Sequence, residues 1–405
     1  MDANRETDAN GDADADVVVV GSGVAGLASA GELAPEHDVL VVDAGPIGGG
    51  TSSRASGVIT TPVDYPDLPE WADRAVEYFR DLDGQGVFTF EERPYVRPVL
   101  PDDRAGAERT ADRDGVSLID CATLADRYPA VFAEGALADY AGGLIYEGTG
   151  LLEADELLAT MKRRAGDRGA RFRPDTRVEG VRVADGAVTG VETEYGPVAA
   201  DAVVVAAGSG TPALLDGVVD VPIRPFTWNV AVLDVGVDAR RTHPIGGERS
   251  HELYWRPTRD GNLLVGTEYD LGWPDPAEPG VDPAFERRLR ESVPDLLAGV
   301  ADADLVRWEY CRRADATTPD ARAIVDRTPV DGLVVAAGFH GTGVMSAGAV
   351  GTAVRALVEP GDPEERTPFP LDSFALDRFE DRGPDFPFAS LFDAIGGAGA
   401  EQRGG

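Results

Sequence analysis

The run Val-Val-Val-Val-Gly21-Ser22-Gly23-Val24-Ala25-Gly26 constrains this chain more than any other segment. Four successive valines before a glycine read as a strand buried on both faces of a parallel sheet. Small and apolar residues from Val24 to Leu33 read as a helix, and residues 39–43 read as a second strand, which completes a βαβ unit. The G-x-G-x-x-G spacing gives each glycine its own role. Gly21 permits the tight turn, Gly23 lets the backbone approach a pyrophosphate, and Gly26 lets helix and strand pack closely. The helix N-terminus then offers bare N–H groups and a partial positive charge to phosphates. The second strand ends in Asp43, with Ala44 opening the loop beyond it. An acid at that place accepts from ribose hydroxyls and suits a ribose without a 2′-phosphate, hence FAD or NAD rather than NADP. The bland alternative is a chance glycine-rich turn.

The chain has 405 residues and a net charge of -35, with Lys162 as its single lysine. Such acidity argues against nucleic-acid binding, which needs a basic footprint, and it repels an anionic membrane surface. It leaves an acidic partner-binding face or, preferred here, a surface adapted to high salt. No apolar run is long enough to span a membrane. Residues 1–15 are acidic and polar, which predicts a disordered tail and no secretion signal. The two cysteines, Cys121 and Cys311, and the four histidines, His37, His243, His251 and His340, show no metal-ligand spacing. A reducing cytoplasm and no metal are expected, with Cys121 a small core residue.

Further along, residues 68–82 carry Trp71, Val76 and Phe79 at helical spacing, and 151–168 read as a helix ended by Gly169. Strand-like runs follow at 177–183, 187–194 and 201–206, and residues 221–272 alternate in strand fashion around a turn at 259–262. Residues 285–297 and 344–358 read as helices, the second after a strand at 333–337. A β-rich middle between two α/β parts predicts an α/β fold: a discontinuous Rossmann-like nucleotide domain with an inserted α+β substrate domain on an antiparallel sheet. The expected boundaries are 16–85, 141–215 and 318–360 for the first, 86–140 and 216–317 for the second, and 361–405 for a loose C-terminal extension.

Three more stretches fix the dinucleotide. They are Gly49-Gly-Thr51-Ser52-Ser53-Arg54-Ala-Ser-Gly57, Asp201-Ala-Val-Val-Val-Ala-Ala207-Gly208, and Leu333-Val-Val-Ala-Ala-Gly338-Phe-His340-Gly341-Thr342-Gly343-Val344-Met345. With the opening motif, and with Gly150-Leu-Leu-Glu, Thr318-Pro-Asp320 and Leu376-Asp-Arg-Phe379, their order resembles the D-amino-acid oxidase family of flavoproteins. That family also holds glycine oxidases, sarcosine oxidases and dehydrogenases, and D-amino-acid dehydrogenases. The resemblance runs from Asp16 to about Phe379 and implies an FAD-binding domain. It implies that Thr51 to Arg54 lie along the pyrophosphate, that Val178 holds the adenine by its backbone, and that Ala207 and Gly208 pass the ADP part. It places Gly338 to Met345, with His340, Gly341, Thr342, Gly343 and Val344 among them, against the flavin ring. A helix N-terminus at Gly343 to Met345 would stabilise negative charge arising there; the alternative is a plain glycine turn.

The resemblance implies oxidation of an amine to an imine by hydride transfer to flavin N5, followed by hydrolysis. The substrate would be an amino acid or N-substituted amino acid, its carboxylate held by an arginine fork. Candidates are Arg256 and Arg313 (or Arg312), and His340 is a candidate cation at the flavin. Several positions depart from the relatives. Asp315 stands where many amino-acid-oxidising relatives carry arginine, which puts a simple amino acid in doubt. Arg313 stands where others carry the flavin-linking cysteine, so non-covalent FAD is expected. Met345 stands where monomeric sarcosine oxidases use lysine to help oxygen react, which favours a dehydrogenase over an oxidase. The acceptor would be O2, a quinone or an electron-transfer protein. Competing readings are a non-catalytic or electron-relaying FAD subunit, a flavin reductase acting on lipid C=C bonds, and an NAD-binding module.

Overall fold

The computed structural model describes residues 13–250, 253–268, 283–387 and 389. Its centre is a six-stranded sheet in the order Ile324–Arg327, Leu333–Ala337, Ala200–Val205, Ala15–Val20, Val39–Val42, Arg171–Arg173. All neighbours are parallel except the first pair. Successive side chains on a strand point to opposite faces. Val17, Val19, Val39 and Val41 therefore pack among helix residues such as Ala30, Leu33, Val350 and Val354. Val18, Val20, Leu40 and Val42 pack on the other face among Val178, Val188, Val191 and Val198. Those last four belong to an antiparallel three-stranded sheet, Val178–Ala184, Ala187–Thr193 and Gly196–Val198. Burial on both faces is why the valine run shows no polar alternation.

The helix Val24–Leu33 packs against Ala154–Asp167 and Ala347–Val358. Close approach is set by small residues: a Cβ at Gly351 would sit 3.0 Å from the Ala28 carbonyl oxygen, and one at Gly348 would sit 2.3 Å from Tyr78 Cβ. Arg327 reaches the far end of the last helix and donates to the carbonyls of Leu357, Glu359 and Gly361, acceptors that a helix C-terminus leaves open.

The inserted part is built on an eight-stranded sheet, in the order Asp304–Thr317, Arg224–Asp234, Leu263–Glu268, Leu253–Pro257, Ile245–Glu248, Tyr95–Val99, Gly142–Tyr146, Val116–Ile119. It is antiparallel except where Ile245–Glu248 meets Tyr95–Val99. One face buries Ala231, Leu233, Trp255 and Val265 under the helices Pro283–Glu291 and Val293–Leu296. The other face carries Trp228, Val230, Val232 and Tyr254. Residues 285–297 thus form two short helices: Pro294, in the first turn of the second, lacks the N–H that a continuous helix would need. Gly142–Tyr146 pairs into this sheet, although the sequence places 141–215 in the nucleotide domain.

Candidate functional site

A cavity of about 690 Å³ runs from the Gly21 turn, past the C-terminal ends of the central strands, to the eight-stranded sheet. Ligands of open α/β sheets bind at such strand ends. Gly21 has φ +98°, and a Cβ there would lie 2.4 Å from the Ala206 carbonyl oxygen. A Cβ at Gly26 would lie 2.0 Å from the Gly21 carbonyl oxygen, so Gly26 packs the turn and does not itself line the cavity. Among the described residues the Gly23 amide has no protein acceptor, while the Val24 amide donates to Ser52 Oγ at 3.0 Å. Asp43 accepts from the Ser22 amide at 2.7 Å, the Ser22 hydroxyl at 2.6 Å and the Gly45 amide at 2.9 Å. Ser22, Ala25, Asp43, Ala44, Val178, Ala207 and Gly208 border this end.

The stretch Thr51–Arg54 is a 3-10 helix. With three residues per turn only part of it faces inward. Thr51 and Ser52 line the cavity. Ser53 and Arg54 are exposed, and Ser53 Oγ donates to the Gly50 carbonyl at 2.8 Å.

At the other end lies the turn 338–345. Gly338, His340, Gly341, Gly343, Val344 and Met345 border the cavity. Thr342 does not: its hydroxyl donates to the Phe339 carbonyl at 2.6 Å and lies 2.8 Å from Tyr65 Oη. The expected helix start at Val344 is corrected to Ala347, with Ser346 as N-cap, because the Thr342 and Ser346 amides are taken by turn bonds to Phe339 and Thr342. Bare amides are present at this turn, but outside a helix. Among the described residues the amides of Gly343, Val344 and Met345 have no protein acceptor. His340 is corrected from a candidate cation to a neutral ring. It is 1% exposed, stacks on Phe226 with centroids 4.8 Å apart, and its Nδ1 lies 2.6 Å from Thr317 Oγ1. Burial and nearby Arg224 push its pKa down to about 3.

The walls beyond this turn come from distant segments: Tyr95, Phe226, Trp228 and Tyr254, with Asp64 and Asp315 between them. The Thr60 hydroxyl donates to Asp64 Oδ2 at 2.6 Å and lies 3.9 Å from Met345 Sδ. Burial raises the Asp64 carboxyl to about 7 against the effect of that bond. Burial likewise raises Asp315 to about 6, against hydrogen bonds from the Ala316 and Gly341 amides. Burial first, then the Asp64 charge, pushes the Tyr95 phenol up. Sequence reasoning missed Asp64, Tyr95, Phe226 and Trp228, and no local pattern marks them.

Arg256 is corrected as a cavity residue. It shares a strand face with Tyr254, but two residues on, roughly 7 Å along the strand, it borders a separate hollow beside Leu152 and Glu153. Its Nη2 lies 3.6 Å from Glu153 Oε1 and its Nη1 donates to the Leu152 carbonyl at 3.5 Å. Arg313 belongs to the strand Asp304–Thr317, but its side chain, like those of Arg312 and Cys311, lies outside the described residues, as does His251.

The residues present fit FAD. Glycines that tolerate no Cβ shape one end, Asp43 closes the first βαβ unit, and amides without a protein acceptor stand at two ends of one cavity, an arrangement that suits a ligand with separated negative groups, as FAD would be. Comparison with known proteins agrees. The 26% identical sarcosine oxidase subunit beta of Rhizobium meliloti is matched over 90% of this chain and 88% of its own length. The D-amino acid dehydrogenase of Cereibacter sphaeroides is 36% identical over 204 residues, 50% of this chain and 45% of that protein, so the chain spans about half the length of this relative. Among solved structures, L-proline dehydrogenase from P. horikoshii superposes with a TM-score of 0.78 at 22% identity over 90% of this chain and 97% of that one. Glycine oxidase from Geobacillus kaustophilus superposes with a TM-score of 0.75 at 23% identity over 91% and 99%. Residues 16–357 match the DAO family, described as FAD dependent oxidoreductase, and with four fifths of its length in that match the chain belongs to this family.

Proposed function

We propose that this FAD-dependent oxidoreductase oxidises a C–N bond of an amino acid or N-substituted amino acid and works as a dehydrogenase. The observation that carries the reading is one continuous cavity joining the Gly21 cradle to the 338–345 turn and then to an aromatic chamber. Bound FAD supplies the two-electron acceptor for the hydride released when the substrate C–H bond breaks and the nitrogen lone pair forms C=N. The chain itself contributes placement. Trp228, Tyr254 and Phe226 exclude water and hold the C–H bond in one orientation. The free amides of 343–345 stabilise negative charge at the turn without reorganisation. Water then adds to the imine carbon and releases the amine and a carbonyl product.

Met345 is 8% exposed and sits beside Thr60, so among the described residues this flank of the cavity offers oxygen no cation. That supports a quinone or an electron-transfer protein over O2 as acceptor. The FAD is held without a covalent bond in this reading: Cys121, the one cysteine whose side chain is among the described residues, is part-buried, donates to the Tyr140 carbonyl at 3.2 Å and does not line the cavity. A net charge of -35 supports a partner set without nucleic acid, and the scarcity of cysteine supports a cytoplasmic setting. Among the described residues no helix is long and apolar enough to cross a membrane.

The test is anaerobic mixing of the yellow protein, in molar salt, with a panel of amino acids and N-methyl amino acids. Loss of the oxidised flavin absorbance with at least one of them is expected; no loss with any amine overturns the reading. Asp315 and Met345, at places where the family resemblance implies cations in some members, favour a second reading, an electron-relaying FAD subunit. That reading gains if the isolated chain never turns over with an artificial acceptor.

A further inference from the structure

The reaction end of the cavity has an unusual charge for a site that would hold a carboxylate. Two carboxyl groups face it, and they are fixed to different elements. Asp64 ends the short helix Thr61–Asp64 and is tied to Met345 through Thr60. Asp315 lies on the strand Asp304–Thr317, opposite Phe226 in register, with its Oδ1 on the Ala316 amide at 2.8 Å. A Cβ built on Gly341 would stand 4.0 Å from Asp315 Oδ2, which places this carboxyl against the same turn that ends in Met345. Both acids therefore border one chamber, next to the turn that binds the reactive end of the cofactor. The described basic residues that line the cavity are Arg177, beside Val178 at the far end, and the neutral His340.

Electrostatics then decides what enters. A substrate carboxylate placed here would face two acids across a wall of low polarisability, where like-charge contact is costly. A cation would be drawn in by both, and its charge would pull carboxyls that burial has raised back toward their ionised form. The remaining wall is Tyr95, Trp228, Tyr254 and Phe226, and aromatic faces attract ammonium groups. We propose that Asp64 and Asp315 select substrates by positive charge, so that the amine oxidised here carries a second cationic group, as in a diamine or an amino acid with a basic side chain. This rests on the C–N oxidation proposed above and narrows its substrate class.

The experiment uses FAD-loaded protein in anaerobic stopped flow, with 1,5-diaminopentane and both enantiomers of lysine set against sarcosine, D-alanine and proline. The wild type is expected to bind and reduce with 1,5-diaminopentane about 10-fold or more better than with the monoamines, with lysine, whose carboxylate offsets part of its second positive charge, between them, from the ratio of reduction rate to Kd. Asp64→Asn and Asp315→Asn keep the shape of the carboxyls. Each is expected to raise Kd for the dicationic amine by about 10- to 100-fold, to leave the limiting reduction rate within about threefold, and to leave Kd for sarcosine unchanged or lower. Asp315→Arg should swing the preference toward monocarboxylates, a readout that a merely structural role would not move. Retention of the yellow colour controls for folding. If sarcosine or D-alanine reduces the wild type as well as the diamine, or the Asn variants leave discrimination unaltered, charge selection is overturned while C–N oxidation stands. If no amine of any charge bleaches the wild type, C–N oxidation itself falls, and charge selection with it.

Discussion

The two ends of the cavity are made in opposite ways. At the dinucleotide end, the turn itself comes from backbone and from residues close in sequence: Gly21, Gly23, Gly26 and Asp43 lie in one βαβ unit, with Ser52, Val178, Ala207 and Gly208 bordering it from elsewhere. At the reaction end, Asp64, Tyr95, Phe226, Trp228, Tyr254 and Asp315 come from distant segments and act through their side chains. A backbone cradle tolerates little change where an added Cβ would meet backbone, as at Gly21 against the Ala206 carbonyl and at Gly26 against the Gly21 carbonyl. A side-chain chamber can change its chemistry and keep its shape. The same scaffold can therefore hold one cofactor while its substrate wall carries acids.

The sharpest way to break this contrast is at Gly26. A valine there would place Cβ 2.0 Å from the Gly21 carbonyl oxygen, and only a backbone shift relieves that contact. Gly26→Val is expected to cost about 4 kcal/mol or more of stability and to cut FAD affinity by more than about 100-fold. Flavin content after purification and thermal unfolding measure both. A variant that is purified fully yellow would show that the cradle is more forgiving than its geometry.

Asp43→Ala tests the carboxylate that ties the cradle to the end of the second strand. It removes the acceptor of the Ser22 amide, the Ser22 hydroxyl and the Gly45 amide together. The FAD Kd should rise by about 10- to 100-fold with the fold retained, measured by fluorescence titration of the apoprotein. An unchanged Kd would mean that the glycines alone carry the dinucleotide end.

The same contrast explains how much of the molecule is legible in its sequence. The valine run, the glycine spacing and Asp43 announce the first βαβ unit because the function needs local backbone geometry, which leaves a local trace. The turn at 338–345 is legible as a candidate site, but its helix starts three residues later than the sequence suggests, since apolar small residues read alike in a turn and in a helix. His340 resembles a cation in sequence because a sequence does not show burial. Arg256 resembles a ligand because period-2 alternation gives the face a side chain takes and not where the cavity ends. Asp64 leaves no trace at all: its role follows from a long-range contact between the segment around residue 60 and Met345.

A smaller effect comes from Asp64 as a buried acid. Its carboxyl titrates near 4 in the unfolded chain and about 7 in the fold. Between those values the folded state holds more protons than the unfolded one. The stability this group allows is therefore fully present below about pH 4 and is lost as pH rises toward 7. Asp64→Asn removes the loss. The variant should match the wild type near pH 4 and exceed it by about 1–2 kcal/mol at pH 7.5, a figure discounted because the carboxyl is partly open to the cavity. Denaturant melts across this range measure the gap, and a constant gap would place Asp64 outside the low-dielectric chamber.

The least effect is expected at Arg256, the arginine that the sequence offers as a carboxylate clamp. Its guanidinium points away from the chamber to Glu153 and the Leu152 carbonyl, while Tyr254 from the same strand face reaches the cavity. Arg256→Met keeps an apolar stem of similar length, and Glu153, about a third exposed, can be solvated when its partner leaves. Substrate Kd and the limiting reduction rate should therefore both stay within about twofold, less than about 0.5 kcal/mol, with some loss of thermal stability from the emptied hollow. A 10-fold rise in Kd, confined to substrates that bear a carboxylate, would mean that Arg256 swings into the chamber when substrate arrives, and it would move the boundary between the two kinds of wall from Tyr254 to Arg256.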